Sequence, residues 1–282
     1  MSEKYLTENE RMDKKIEKIL TYKGRIEEII RHAGEIIIEN SPSPVSVHNK
    51  EGTANYVTDY DVQIQKYLID ELNHLFSGCS FYGEEDTECN DYNTKSGFCF
   101  FIDPIDGTTN YIFGYNHSCV SVGVSYDGEM IAGFVYNPYV EEFYSAICGH
   151  GSFLNRQRLY IKDNALENGI VAYGCARYNE GDTDALFQIT KELYLNSLSI
   201  RNGGSAALDL CRIASGSNVA YVELKLQPYD YAAASVIIEE AGGVIGQVDG
   251  LAVTLNEPCS VLAGTHKAVE QVRQVCRKYL KK

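Results

Sequence analysis

Five apolar residues, Phe98-Cys99-Phe100-Phe101-Ile102, run without a break into Asp103-Pro104-Ile105-Asp106-Gly107-Thr108-Thr109-Asn110. An apolar run of that length and composition reads as a buried strand. This one delivers two carboxyl groups, a proline, a glycine and two hydroxyls at its end. Pro104 fixes the backbone and Gly107 permits a sharp turn. The next segment offers backbone N–H groups and hydroxyls and, if helical, a terminus suited to a phosphate. One loop can therefore supply hard oxygen ligands and an anion cradle side by side. A turn kept for shape alone explains Asp, Pro and Gly as well, so the weight falls on the other acids of the chain.

Two better-known acidic loops do not fit. An EF-hand needs acids at alternating positions and a glutamate at the twelfth; here Pro104 and Ile105 separate the acids and the twelfth residue is Gly114. A haloacid-dehalogenase-type phosphatase sets its aspartates two apart. Here they are three apart, which on a regular strand turns them to opposite sides. Further acids stand in three places. Gly83-Glu84-Glu85 follows the strand-like Cys79 to Tyr82. Asp230 opens a small-residue helix that ends at Gly242-Gly243. Lys50, Thr58, Asp59 and Asp61 precede another helical stretch. Thr58, Asp59 and Asp230 also read as ordinary helix caps.

The 282 residues, 44% of them hydrophobic, suit one large domain or two closely packed ones. With 39 acidic and 25 basic residues the formal charge is -14, which argues against non-specific nucleic-acid binding. It does not exclude an anionic substrate, because bound cations reverse the local field. The tail from Arg277 to Lys282 reads as a solvated helix end. The nine cysteines are an odd number without framework spacing, and no Cys/His cluster suggests zinc. No apolar run reaches the roughly 18 residues of a membrane helix. The expectation is a cytoplasmic protein with reduced thiols and no membrane partner.

Apolar residues at helical spacing predict a long helix over about 12–39, stopped by Ser41-Pro42-Ser43-Pro44. An extended stretch at Val45 to His48 and a helix over Asp61 to Phe76 follow. Strands are expected at Cys79–Tyr82, Phe98–Ile102, Cys119–Ser125 and Met130–Tyr136, the last two joined through Asp127-Gly128. Beyond Asn164 the pattern alternates. Strands are predicted at Gly169–Gly174, Val219–Leu224, Val244–Val248 and Ser260–Ala263. Helices are predicted at Asp182–Leu195, Ala206–Ala214, Tyr231–Ala241 and Lys267–Tyr279. The division is an α+β half over 1–160 and an α/β half over 161–282.

Three motifs in this order and separation, Gly83 to Glu85, Asp103 to Asn110 and Tyr229 to Gly243, resemble the inositol monophosphatase family of the lithium-sensitive, magnesium-dependent phosphatases. The likeness runs from about Ile16 to Cys276. It implies a layered αβαβα sandwich, two or three magnesium ions, a small phosphorylated polyol or sugar as substrate, and a homodimer. Residue by residue, it implies Glu84, Asp103 and the Ile105 carbonyl on one ion. Asp103, Asp106 and Asp230 would hold a second, and Glu84 with water a third. Thr108 paired with Asp61 would orient or deprotonate the attacking water. Gly107, Thr108 and Thr109 would face the phosphate. Gly204, Ser205, Ala206, Glu223 and Asp230 would line the alcohol side, with Glu85 and Lys50 in support.

The physics agrees with cations. Carboxylates ~4 Å apart repel by ~4 kcal/mol at an effective dielectric of ~20, and an oxygen-only donor set suits magnesium. The six histidines are scattered outside these motifs; His117, the nearest, reads as structural. Some positions depart from the family. Tyr229 stands where tryptophan is usual, and Ala234 where glycine is common. Thr109-Asn110 resembles the inositol-phosphate branch of the family more than the nucleotide branch, and Glu223 points the same way, since a carboxylate accepts from polyol hydroxyls. The rival substrates are fructose 1,6-bisphosphate and other sugar phosphates, with histidinol phosphate and adenosine bisphosphate behind them. A binding protein that keeps the fold without turnover would have lost a ligand or the Thr108–Asp61 pair, and none is lost.

Overall fold

The computed structural model describes residues 8–40, 47–49, 56–85, 93–175 and 183–280. Helix α1 (Glu8–Glu39) realises the predicted amphipathic pattern, burying Ile19, Ile26, Ile29, Ile30, Ala33 and Ile37. Gly34 lies inside it for a reason of space: a Cβ there would stand 2.6 Å from the Tyr136 ring. Strands β1 (Val47–Asn49) and β2 (Tyr56–Thr58) form a small antiparallel pair leading into α2 (Asp59–Leu75).

The main sheet has seven strands in the order β3 to β9: Ser80–Gly83, Phe98–Asp106, Cys119–Tyr126, Glu129–Asn137, Glu142–Ile147, Gly151–Leu154 and Gln157–Arg158. Only β3 and β4 run parallel. The short helix α3 (Thr108–Ile112) follows β4 at once. The second sheet has the order β11-β10-β12-β14-β13. Its strands are β10 (Ile170–Tyr173), β11 (Ser199–Arg201), β12 (Ala220–Leu226), β13 (Val244–Gly246) and β14 (Cys259–Gly264). Helices α4 (Thr183–Asn196), α5 (Ala206–Ala214), α6 (Pro228–Glu240) and α7 (His266–Tyr279) complete the chain. Strands β2, β7, β8, β9 and β11 were not predicted; three of them are only two or three residues long, too short to show a period.

Five layers result. The α1/α2 pair covers one face of the main sheet through a cluster that includes Ile30, Leu68, Phe100 and Phe134. Its other face meets α5 and α6 through Val135, Tyr144, Leu210, Tyr231 and Ile237. Those two helices also contact the second sheet, whose far side carries α4 and α7 over Ile189, Val222, Leu262 and Val272. This is the αβαβα sandwich. The second half is less regularly α/β than its alternation suggests, because only β11-β10-β12 are parallel and β14 and β13 pair antiparallel. Among the described residues, no helix is long and apolar enough to cross a membrane, and the eight described cysteines are free.

Candidate active site

Asp103 and Asp106 come from β4 and Asp230 from α6, and one carboxylate oxygen of each lies within 4.8 Å of the others. The three-residue spacing was expected to separate the first two. The strand instead continues to Asp106 and slips register on the way: Asp103 pairs with Ser121 but Asp106 with Cys119. Three steps on β4 match two on β5, so the bulge at Pro104-Ile105 turns both acids to one side.

Each acid is held by neighbours. Asp103 Oδ1 accepts the Ile105 N–H at 3.1 Å. Asp106 Oδ2 accepts the Ser205 hydroxyl at 2.5 Å and the Ala207 N–H at 2.8 Å, while Oδ1 accepts the Ala206 N–H at 3.2 Å. The start of α5 thus grips an acid from the other sheet. Asp230 is the third residue of α6, and its Oδ2 accepts the Gln227 N–H at 2.8 Å.

All three are buried. Burial, then the charges of Glu84, Asp106 and Asp230, raises Asp103 well above the carboxylate range. Burial does the same to Asp230, with Asp106 and Glu84 adding to it. Asp106 reaches only about 6, because hydrogen bonds from Ser205, Ala207 and Ala206 oppose its burial. Converging buried carboxylates that resist ionisation are a poor arrangement for stability and a good one for a cation. The cleft they open into has a volume of about 410 Å³ and no Lys, Arg or His among the described residues that line it. The donor set is oxygen throughout, and it fits a hard divalent metal.

Glu84 lines the same cleft just beyond β3. Its neighbour Glu85 is buried and fixed through the backbone: the Gln65 amide donates to Glu85 O at 2.8 Å and its carbonyl accepts Glu85 N–H at 3.0 Å. Gly83 makes room, since a Cβ there would come within 2.4 Å of Gln65. Gln65, on α2, carried no signal in the sequence. On the same helix Thr58 is the N-cap, and Asp61, three residues in, completes a capping box. Asp61 Oδ2 takes the Thr58 N–H at 2.7 Å and its hydroxyl at 2.5 Å. Oδ1 lies 3.4 Å from Thr108 Oγ1, which is also 3.1 Å from the Ile105 carbonyl. Lys50 lies outside the described residues.

Gly107, Thr108, Thr109, Gly204, Ser205, Ala206 and Glu223 all line the cleft with Ile105 and the acids. Gly107 precedes α3 at φ 91°, and a Cβ there would press on Gly204 O at 3.0 Å. Asn110 ties this corner to the second half, its Nδ2 donating to His117 O at 2.7 Å and Gly203 O at 2.8 Å. Glu223 Oε2 accepts the Tyr221 hydroxyl at 2.5 Å. Gly174 leaves space for that carboxylate, which a Cβ would approach to 1.9 Å. Asp209 and Tyr221 also line the cleft and were missed. An acid in the otherwise apolar start of α5 (Ala206-Ala207-Leu208-Asp209-Leu210) was the available signal.

The sequence profile of the inositol monophosphatase family matches residues 21–279. The chain belongs to the inositol monophosphatase family. Inositol-1-monophosphatase of Bacillus subtilis is 32% identical over 247 residues, which span 85% of this chain and 91% of that protein. A protein of Aquifex aeolicus described as fructose-1,6-bisphosphatase/inositol-1-monophosphatase is 31% identical, covering 88% and 92%. Among solved structures, extragenic suppressor protein suhB from Bartonella henselae superposes with a TM-score of 0.84 at 26% identity, over 92% of this chain and all of the other. SaIMPase-II bound to inositol monophosphate gives 0.75 at 28%, over 89% and 92%. As an inositol monophosphatase family member, the chain is a phosphoric monoester hydrolase with the layered fold of these neighbours.

Proposed function

We propose that this enzyme hydrolyses the phosphate monoester of a small polyol or sugar, inositol monophosphate foremost, using magnesium. The observation that carries the proposal is the convergence of Asp103, Asp106 and Asp230, buried within 4.8 Å of one another in a cleft without a described cationic side chain. Asp103, Asp106, Asp230, Glu84 and the Ile105 carbonyl would hold two or three ions. Magnesium there supplies charge neutralisation for the phosphate and the departing alkoxide, and acidifies water.

The chain's own groups position and deprotonate. Thr58 locks one oxygen of Asp61 and leaves the other turned to Thr108, so Asp61 can take the Thr108 proton while Thr108 accepts from an attacking water. Gly107, Thr108 and Thr109 face the phosphate, and Gly204, Ser205, Ala206 and Glu223 the alcohol. The half over 1–160 contributes most ligands, and 161–282 adds Asp230 and the alcohol side. The free cysteines support a reducing, cytoplasmic setting. The family resemblance supports inhibition by lithium and a homodimer, the latter checked by sedimentation.

The test is phosphate release, with and without magnesium, from inositol 1-phosphate, fructose 1,6-bisphosphate, histidinol phosphate and adenosine 3′,5′-bisphosphate. Magnesium-dependent release with inositol 1-phosphate preferred is expected. Preference for the bisphosphate would replace the polyol assignment, and no release from any would leave a binding protein.

A further inference from the structure

Asp209 has no part in the metal trio or in the Thr108–Asp61 pair, yet it lines the same cleft. It sits in the first turn of α5 and is 6% exposed. Its Oδ2 accepts the Gly203 N–H at 3.0 Å, the carboxylate's one hydrogen bond among the described residues. The Tyr221 hydroxyl, which donates to Glu223, feels the charges of both Glu223 and Asp209. The cleft therefore holds a further acidic pair, Asp209 and Glu223, outside the metal trio, with the charge of Asp106 still reaching Asp209.

A buried carboxylate with one donor is poorly solvated, and burial pushes Asp209 up to about 7 against the opposing Gly203 bond. Another donor would favour its charged form. Gly203 employs one of the two oxygens, so holding the backbone accounts for half of the group.

Resting on the phosphatase reading above, we propose that Asp209 is a specificity-determining residue: with Glu223 it offers carboxylate oxygens to the hydroxyls of a neutral polyol, and it disfavours a substrate bearing a second phosphate. An ionised carboxylate only accepts hydrogen bonds, and a polyol hydroxyl donates. A second phosphate brings acceptors and negative charge, and no Lys, Arg or His is found among the described residues lining the cleft. Exclusion by an unanswered buried polar group is a stronger filter than apolar fit.

Asp209→Asn separates the two uses of the carboxylate. The amide carbonyl keeps the Gly203 bond, and the NH₂ replaces an acceptor with a donor. With magnesium present, the variant is expected to raise KM for inositol 1-phosphate by about tenfold or more, the scale of one hydrogen bond to a charged acceptor. On p-nitrophenyl phosphate, which has no alcohol hydroxyl, kcat/KM should change less than about twofold, within the range of a neutral substitution. Equal loss on both substrates, or no loss on either, overturns the inference. A second measurement needs no variant: wild-type kcat/KM for inositol 1-phosphate should exceed that for fructose 1,6-bisphosphate by about tenfold or more. Parity or the reverse order overturns the inference and leaves the phosphatase standing. Absence of turnover of all three compounds overturns both.

Discussion

At the scale of single residues, acids proposed to bear on catalysis are tied into helix starts. Asp61 and Asp230 each occupy the third position of a helix and reach back to the cap residue, Thr58 or Gln227. The sequence offered Thr58, Asp59 and Asp230 as cap candidates, and Thr58 is the cap. Asp230 does not cap; it completes a box with Gln227. The capping role was therefore legible and does not compete with the proposed function, since one carboxylate has oxygens for both. Thr108 stands apart because its hydroxyl has two acceptors within reach, Ile105 O and Asp61 Oδ1. Thr108→Val keeps the shape and removes the hydroxyl. Turnover should fall by about 10²–10⁴, the usual scale of a positioned acid or base, while magnesium still raises the melting temperature. Phosphate release read beside thermal melting checks both; a variant within about twofold of wild type would place the proton acceptor elsewhere.

At the scale of elements, the position of Asp230 depends on how closely α6 approaches the main sheet. Gly123 and Gly133 are cross-strand partners on β5 and β6. A Cβ on Gly133 would stand 2.0 Å from Ala233 O, and one on Gly123 would stand 2.9 Å from Ala233 N. These glycines let a small-residue helix lie directly on the strands. The sequence displayed the alanines of α6 and both glycines, but not that they face each other, because the pairing is long-range. The bulge at Pro104-Ile105 was hidden for the same reason: register belongs to two strands, and one strand's sequence does not set it. Gly133→Ala should destabilise by about 1–3 kcal/mol through overpacking. It should also shrink the magnesium-dependent gain in stability, since α6 carries Asp230 away from Asp103 and Asp106. Urea unfolding with and without magnesium measures both; an unchanged metal gain would show that α6 has slack.

At the scale of the whole molecule, two sheets and their shared helices bring acids from distant parts of the chain into one buried site. The motifs, most helices and the central strands were legible because each has a local period or a local composition. Strands β2, β7, β8, β9 and β11, with Gln65 and Asp209, were not, because their places come from contacts across the fold. The cost of that assembly is pH-dependent. Below the ordinary value of 3.8 these carboxyls are protonated in folded and unfolded chains alike. As pH rises, the unfolded chain releases its protons first, so metal-free stability falls. The fall ends at about 6 for Asp106 and about 7 for Asp209. A bound divalent ion favours the charged trio and opposes the part due to it. The rise in melting temperature from magnesium over chelator should therefore be larger near pH 8 than near pH 5, and equal rises at both would contradict this.

Asp103 tests the central claim, because it is the one side chain assigned to both principal ions. Asp103→Asn keeps the shape, removes a charge and weakens one ligand oxygen, and magnesium demands near-ideal coordination. The measurement is thermal melting of wild type and variant, each with and without magnesium. A clear magnesium-dependent rise in wild type and little or none in the variant is expected, with the metal-free variant melting at or above metal-free wild type as carboxylate repulsion is relieved. A full magnesium-dependent rise retained by Asp103→Asn would contradict the account.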